Sequence, residues 1–266
     1  MLGLMGTLPS KSMGKVTKSY VVAATPRSGS TLLCALLAGT GVAGRPEEYF
    51  ESLWRTGAPR QPREYFAGVD DPDLLARLAP TRPEDPDRSD PFPSALERGT
   101  TGNGVFGAKL MWTHLLDLAD RLEQPAEPAL LAERLPGLRY VHVTRGDKVA
   151  QAVSLWRAVQ TLAWRADDTE EDGEVVYHGG AIGHLVAELT EQDDAWRAWF
   201  AANGIEPLTI AYEALADDAT AAVSSVLEYV GAGPAEIPEP PLKRQGDDRS
   251  ARWVERFRAE EALRAV

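Results

Sequence analysis

The segment Ala24–Thr31, A-T-P-R-S-G-S-T, joins an apolar strand pattern to an apolar helix pattern and has the composition of a phosphate-binding turn. Backbone N–H groups around Ser28, Gly29 and Ser30 can converge on one anion at the positive end of the helix. The hydroxyl groups of Ser28, Ser30 and Thr31 add further donors. The sequence therefore predicts a cradle for a phosphate ester, with a plain Ser/Gly turn between a strand and a helix as the alternative.

This turn differs from the loop of nucleoside triphosphatases. Their Gly-Lys-Ser/Thr signature is absent, because Ser30 stands where the lysine would be. The nearby cation is Arg27, on the other side of Gly29. Ordinary ATP chemistry is therefore disfavoured. A small-molecule kinase with a variant loop would need a lysine from another segment, which the sequence does not identify, and a non-catalytic nucleotide-binding protein is the other alternative.

A second candidate anion site lies in the middle of the chain. Arg145 follows the strand pattern 138–143, and the helix pattern after it carries Ser154. A cation at the carboxyl end of a strand, beside a helix start, is where open α/β sheets bind ligands. Two such features on two strand ends predict a ligand that is phosphorylated in two places.

Composition limits the classes of partner. With 266 residues, 44% of them hydrophobic, the chain can bury a full core in one α/β domain. It has 40 acidic residues against 28 lysines and arginines, a net charge of −12, which disfavours nucleic acids and anionic membrane surfaces as partners. The single cysteine, Cys34, lies in an apolar helical stripe, where a buried thiol is expected rather than a nucleophile.

The amino-terminal residues 1–18 lack the long apolar run of a signal peptide and are predicted to form a flexible extension. Residues 19–266 are predicted to form a single domain. No stretch reaches the length of a membrane span, so a cytoplasmic protein is expected.

Short apolar, β-branched runs alternate with helical patterns, which predicts a largely parallel sheet flanked by helices. The predicted strands are 20–24, 105–110, 138–143 and 207–211. Long helices are predicted from 147 to about 164 and from about 180 to 201. The polar stretches 80–101 and 166–173 lack apolar periodicity and are predicted as surface loops that could act as lids.

The two candidate anion-binding segments and several further sequence segments together resemble the bacterial trehalose 2-sulfotransferase family. They occur in order along the chain, at 41–50, 61–66, 107–112, 151–161, 177–184, 196–200 and 244–253. The resemblance covers the chain from residue 19 almost to the carboxyl end. It implies a sulfotransferase-type, P-loop-like α/β fold and 3′-phosphoadenosine 5′-phosphosulfate (PAPS) as the donor.

The resemblance also implies which residues bind the donor. The 5′-phosphosulfate would be held by Arg27, Ser28, Gly29, Ser30 and Thr31, and the 3′-phosphate by Arg145 and Ser154. Arginine suits this role because its paired donors match a phosphate dianion. The carboxyl-terminal block that closes over the nucleotide would contribute Arg244 and Arg249.

A sugar hydroxyl is a poor nucleophile, so a carboxylate that accepts its proton should contribute about 10²- to 10⁴-fold to the rate. The resemblance places this general base on Glu48, which we favour over Glu47. The alternative is that both glutamates begin a helix. A sulfuryl group carries less charge than a phosphoryl group, so in-line transfer is expected to need no metal. The four histidines show no metal-ligand spacing.

The implied reaction is transfer of a sulfuryl group to the 2-position of trehalose, in glycolipid biosynthesis, by a cytoplasmic homodimer. A sugar pocket needs aromatic faces and many polar groups. Its expected residues, besides Glu48, are Tyr49, Gln61, Lys109, Trp112, Arg157 and His178. Trp156 lies on a buried helical stripe and is expected in the core.

Overall fold

In the computed structural model of the chain, the described residues are 15–51, 61–79, 89–164, 175–239 and 248–264. Their strands are β1 (Lys18–Ala24), β2 (Val105–Met111), β3 (Leu138–Thr144) and β4 (Leu208–Ala211). Their helices are α1 (Ser30–Gly39), a 3-10 helix (Pro62–Phe66), α2 (Pro72–Leu75), α3 (Phe92–Gly99), α4 (Trp112–Arg121), α5 (Ala129–Ala132), α6 (Lys148–Thr161), α7 (Gly179–Ala202), α8 (Tyr212–Asp217), α9 (Ala219–Val230) and α10 (Asp248–Arg264). None of these helices is long and apolar enough to cross a membrane.

The four strands form one parallel sheet in the order β2-β1-β3-β4, which confirms the predicted α/β class. In the register, Ala24 of β1 lies beside Met111 of β2 and Val143 of β3. The carboxyl ends of the three strands therefore meet at one edge of the sheet. The turn after Ala24 and the segment after Thr144 begin at that edge.

The central strand β1 is buried on both faces of the sheet. Tyr20, Val22 and Ala24 join a cluster with α1 and α9, and Val21 and Ala23 join a cluster with α4 and α7. Successive side chains of a strand point to opposite faces, so this apolar run requires helices on both sides. Cys34 of α1 is buried in the first cluster, as predicted.

Helix α6 begins at Lys148, where the Asp147 side chain accepts a hydrogen bond of 2.9 Å from the Ala150 N–H. It ends before Leu162, which adopts the left-handed φ of 55°. Trp156 of α6 is fully buried in a cluster that includes residues of α7, which confirms its predicted place in the core. The two long predicted helices are confirmed, the first ending three residues earlier than the pattern indicated.

One predicted loop is wrong in part. Residues 92–99 form helix α3, with Phe92 and Ala95 buried one helical turn apart. The prolines and charges around this short apolar pair hid its helical spacing. Residues 80–88 of the same predicted loop, and the predicted loop 166–173, lie outside the described residues.

A buried carboxylate, Asp193 of α7, ties three elements together. Its oxygens lie 2.8 Å from Nζ of Lys148, 2.8 Å from Nη2 of Arg197 and 3.2 Å from Nε2 of His142. Burial raises the pKa of Asp193, but the contacts with His142 and Lys148 and the charge of Arg197 outweigh burial and bring the pKa to about 2. The network therefore fixes the start of α6 against β3 and α7.

We expect Asp193→Asn to lower the free energy of unfolding at neutral pH by about 3 kcal/mol, because Lys148 and Arg197 lose the charge of a buried carboxylate. The folded-state pKa of Asp193 is depressed, so its stabilising effect is complete above about pH 4. The effect is lost as the pH falls through about 2. Urea unfolding across this pH range measures both effects.

The matched control is Asp194→Asn, whose exposed carboxylate pairs with Arg197. This change should lower the free energy of unfolding by less than about 0.5 kcal/mol. Equal losses from the two variants at neutral pH would contradict the role given to Asp193.

Candidate functional site

The turn after β1 is held in place by a side chain of α6. The Gln151 amide donates hydrogen bonds to Oγ1 of Thr25 at 2.9 Å and to the carbonyl oxygen of Pro26 at 2.7 Å. Within the turn, the Ser28 N–H donates to the carbonyl oxygen of Thr25 at 3.3 Å. The backbone of the turn is therefore fixed before any ligand binds.

Gly29 lets the turn enter helix α1. It adopts a φ of 91°, and a Cβ added there would lie 2.6 Å from Cδ2 of Tyr212. Both the backbone conformation and the close approach therefore require glycine. Beyond Gly29, the first N–H groups of α1, from Ser30 and Thr31, have no acceptor within the helix. They are available to an anion.

The two predicted anion elements meet at this turn. Arg27 donates from Nε to Oγ of Ser154 at 3.0 Å and from Nη1 to the carbonyl oxygen of Trp164 at 2.6 Å. Arg145 donates from Nη1 to the carbonyl oxygen of Arg27 at 3.1 Å and lies over the Tyr212 ring at 4.3 Å. Residues that are more than a hundred positions apart in the sequence thus belong to one site.

Two buried polar atoms of this site have no hydrogen-bond partner among the described residues, Oγ of Ser28 and Nε of Arg145. Burial lowers the pKa of Arg145 below its usual value, and the neighbouring Tyr212, Asp147 and Glu213 oppose that shift. A buried donor without an acceptor costs about 1–3 kcal/mol. An anionic ligand would supply acceptors for both atoms, so the residues present fit a phosphorylated group.

Lys109 of β2 connects the turn with the predicted base. It is buried, and its Nζ donates to Oγ1 of Thr31 at 3.1 Å and lies 3.6 Å from Oε1 of Glu48. The sequence predicted Lys109 only as an acceptor contact and identified no lysine beside the turn. The available signal was a single charged residue inside an apolar strand pattern.

The position of Glu48 follows from how the chain returns to the sheet after α1. At Gly44, with a φ of 72°, an added Cβ would lie 2.5 Å from a backbone nitrogen of β2. Glu47 then forms an isolated parallel bridge with β2, and its carbonyl oxygen accepts a hydrogen bond of 2.9 Å from the Lys109 N–H. The following residue, Glu48, lies beside Lys109 as a result. Residues 47–51 form a bridge and a turn, so the alternative of a helix start there is wrong.

Two aromatic residues predicted for the acceptor pocket are packed against the core. Tyr49 is 4% exposed, and its hydroxyl donates to the carbonyl oxygen of Arg45 at 2.6 Å. Burial raises the pKa of Tyr49 to about 12, with the Glu47 charge adding to the shift. Trp112, at the start of α4, packs edge-on against Trp196 with 5.2 Å between ring centroids.

Three other residues predicted for the acceptor pocket lie around α6 and α7. Gln61 is buried at the start of the 3-10 helix. Arg157 of α6 donates to Oγ of Ser250 at 2.7 Å. His178 caps α7, where its Nδ1 accepts from the Ala181 N–H at 3.0 Å, a local role that the sequence analysis missed.

The predicted closing segment is described in part. Arg244 lies outside the described residues. Arg249 is exposed on α10 and lines a groove of about 530 Å³. The other residues of the groove are Val175, Val176, Tyr177, Arg252, Trp253 and Arg256.

The model of the Stf0 sulphotransferase family matches residues 19–260. The chain belongs to this family. It is therefore a sulfotransferase, which confirms the resemblance, and membership implies a sulfonucleotide donor. The trehalose 2-sulfotransferase of Mycobacterium tuberculosis (strain ATCC 35801 / TMC 107 / Erdman) is 46% identical over 265 residues, covering 93% of this chain and 97% of that protein.

The trehalose 2-sulfotransferase of Mycolicibacterium smegmatis (strain ATCC 700084 / mc(2)155) is 43% identical over 254 residues, covering 90% of this chain and 94% of that protein. Among solved structures, the sulfotransferase domain of the Synechococcus PCC 7002 olefin synthase is 15% identical, with a TM-score of 0.39. That match covers 95% of this chain and 92% of that domain, a likeness too weak to support an argument.

Gly29→Ala should lower the free energy of unfolding by about 2 kcal/mol more than Gly41→Ala, because only the first adds overpacking to backbone strain. The two glycines have φ values of 91° and 71°. The Cβ at position 29 would meet Tyr212, whereas no described residue lies within 4 Å of a Cβ at Gly41. Urea unfolding measures the difference, and equal losses would show that Tyr212 does not confine the turn.

Proposed function

We propose that the chain transfers the sulfuryl group of PAPS to a carbohydrate hydroxyl, the 2-position of trehalose. The observation that carries the proposal is the contact between Arg145 and Arg27. It brings two anion elements into one site, as a donor phosphorylated on both sides of its ribose requires. The choice of trehalose as the acceptor rests on the two relatives named trehalose 2-sulfotransferase.

In the proposed donor site, the N–H groups at the start of α1 and the hydroxyls of Ser28, Ser30 and Thr31 bind the 5′-phosphosulfate. Arg145 and Ser154 bind the 3′-phosphate, and Gly29 allows the close backbone approach. The unpartnered Ser28 Oγ and Arg145 Nε support this assignment. The roles of Arg244 and Arg249 in closing the site remain predictions.

When bound, the donor supplies the sulfuryl group and a phosphate leaving group. Lys109 lies at Thr31, the end of the turn where negative charge would grow during transfer. Its ammonium group is already held there and can stabilise that charge without reorganising, and Arg27 remains a predicted contact of the 5′-phosphosulfate. The lower charge of a sulfuryl group lets side-chain cations suffice, so we propose that transfer is metal-independent.

Glu48 is the proposed general base. It would accept the proton of the attacking sugar hydroxyl, which increases the nucleophilicity of the oxygen. Its carboxylate lies 3.6 Å from Nζ of Lys109, and Lys109 in turn contacts the turn. The base and the donor cradle are therefore linked through one side chain, which supports a position of Glu48 close to the transferred group.

The remaining acceptor contacts stay predictions, from Tyr49, Gln61, Trp112, Arg157 and His178. Arg157 and His178 are polar side chains near α6, and each already takes part in a hydrogen bond within the chain. A homodimer, a cytoplasmic location, a place in glycolipid synthesis and the division into an extension 1–18 and one domain are further parts of the proposal.

Lys109 supplies from β2 the lysine that a phosphate loop of the kinase type would need, so ADP with Mg²⁺ is the alternative nucleotide to test. Calorimetry separates the two nucleotides. We expect adenosine 3′,5′-bisphosphate to bind and ADP with Mg²⁺ not to bind, and labelled sulfate to pass from PAPS to trehalose in preference to glucose. Binding of ADP with Mg²⁺ alone would refute PAPS as the donor. Equal transfer to glucose would refute only the assignment of trehalose as the acceptor.

Glu48→Gln should lower kcat by about 10²- to 10⁴-fold, because the amide cannot accept the hydroxyl proton. The affinity for adenosine 3′,5′-bisphosphate should stay unchanged, as calorimetry can verify. Glu47→Gln is the matched control, since Glu47 contributes its backbone to the bridge with β2 and should retain turnover. Full turnover in Glu48→Gln would remove Glu48 from the role of base.

A further inference from the structure

A cluster of three side chains lies beside Lys109, which contacts one of them, Glu48. Glu48, Glu51 and His114 each place one possible ligand atom within 4.8 Å of the other two. The two glutamates share a turn, in which the Glu51 N–H donates to the carbonyl oxygen of Glu48 at 3.2 Å. His114 lies in the first turn of α4, directly after β2. The proposed reaction uses only Glu48 of the three.

His114 supplies the observation that points to a ligand. Its side chain is 3% exposed, and neither ring nitrogen has a hydrogen-bond partner among the described residues. Its Nε2 lies 3.4 Å from Oε1 of Glu51. That distance is long for a charge-assisted hydrogen bond, which measures about 2.7–2.9 Å. It matches the separation of two ligands on a tetrahedral zinc ion, about 3.4 Å for metal–ligand bonds of about 2.1 Å.

The chemistry of the three groups selects the cation. One imidazole and two carboxylates, with water in a fourth position, are all ligands that zinc takes in four-coordinate sites, whereas Mg²⁺ and Ca²⁺ favour oxygen ligands alone. Charge favours the same conclusion. Lys109 offsets one of the two carboxylates, at 3.6 Å from Glu48, and a divalent cation would offset the other.

We propose that Glu48, Glu51 and His114 form a zinc site that inhibits the enzyme. A Glu48 carboxylate bonded to zinc cannot accept the proton of the acceptor hydroxyl, so bound zinc stops transfer. The donor elements at Arg27 and Arg145 are not ligands, so nucleotide affinity should not change. The inhibition rests on the proposed function, whereas zinc binding does not.

Zinc binding is tested first, by calorimetric titration of the full chain with zinc chloride. We expect one site, weakened at least about 10-fold by Glu51→Gln, since even outer contacts of a metal site are worth that much. Glu133→Gln, a change at an exposed glutamate of the segment after α5, is the matched control and should bind zinc like the unchanged chain. No binding, or equal binding in Glu51→Gln, would overturn the proposal.

Imidazole NMR provides a second readout that does not depend on activity. The chain has four histidines, so the His114 signals can be assigned by their loss in His114→Gln. Zinc should shift these signals and leave those of the other three histidines in place. Unshifted His114 signals at a saturating zinc concentration would overturn the assignment. If His114→Gln does not fold, Glu51→Gln still decides the question by calorimetry.

The inhibition is tested in the sulfate-transfer assay. Zinc should lower kcat, EDTA should restore turnover, and Glu51→Gln should need at least about 10-fold more zinc for the same inhibition. Equal zinc sensitivity in Glu51→Gln and the unchanged chain would overturn the inhibitory role. A chain that binds zinc but transfers no sulfate to any acceptor would contradict the proposed function while leaving the zinc site supported.

Discussion

The hydrogen bond from Arg145 to the carbonyl oxygen of Arg27 joins the two elements that we predict to bind anions. It exists because β1 and β3 are neighbours in a parallel sheet, so their carboxyl ends, and the segments that follow them, meet at one edge. Ser154 strengthens the junction by accepting a hydrogen bond from the Arg27 side chain. Without this junction, the two predicted anion elements would lie apart and could not hold one doubly phosphorylated ligand, as the proposed function requires.

The protein carries a net charge of −12, yet its candidate site is built around cations. Arg145 is held by a carbonyl oxygen and an aromatic ring, which position the guanidinium while leaving its positive charge for a ligand. Lys109 is held between a hydroxyl and the Glu48 carboxylate. The buried carboxylate of Asp193 has a structural role instead, because it pairs with Lys148 at the start of α6 and with Arg197 of α7.

The sequence predicted much of the fold, because strands and helices follow from local patterns of apolar residues. The four strands and the two long helices were found where expected. Helix α3 was missed, since Phe92 and Ala95 are the only buried residues of its face with an apolar side chain, and prolines and charges surround them. His178 shows a related limit, because a helix cap depends on where a helix begins and sequence patterns leave that start uncertain by a few residues.

By itself, the sequence determined the parallel α/β class and the family, and it predicted the turn with its glycine and the two arginines of the candidate donor site. Tertiary structure alone decided that Lys109 reaches Thr31 and Glu48, and that His114 lies against Glu51. These contacts depend on the register between β1 and β2 and on the bridge at Glu47, which join segments far apart in the chain. Local patterns specify which residues form a strand, but the packing of the whole chain sets which side chains meet across it.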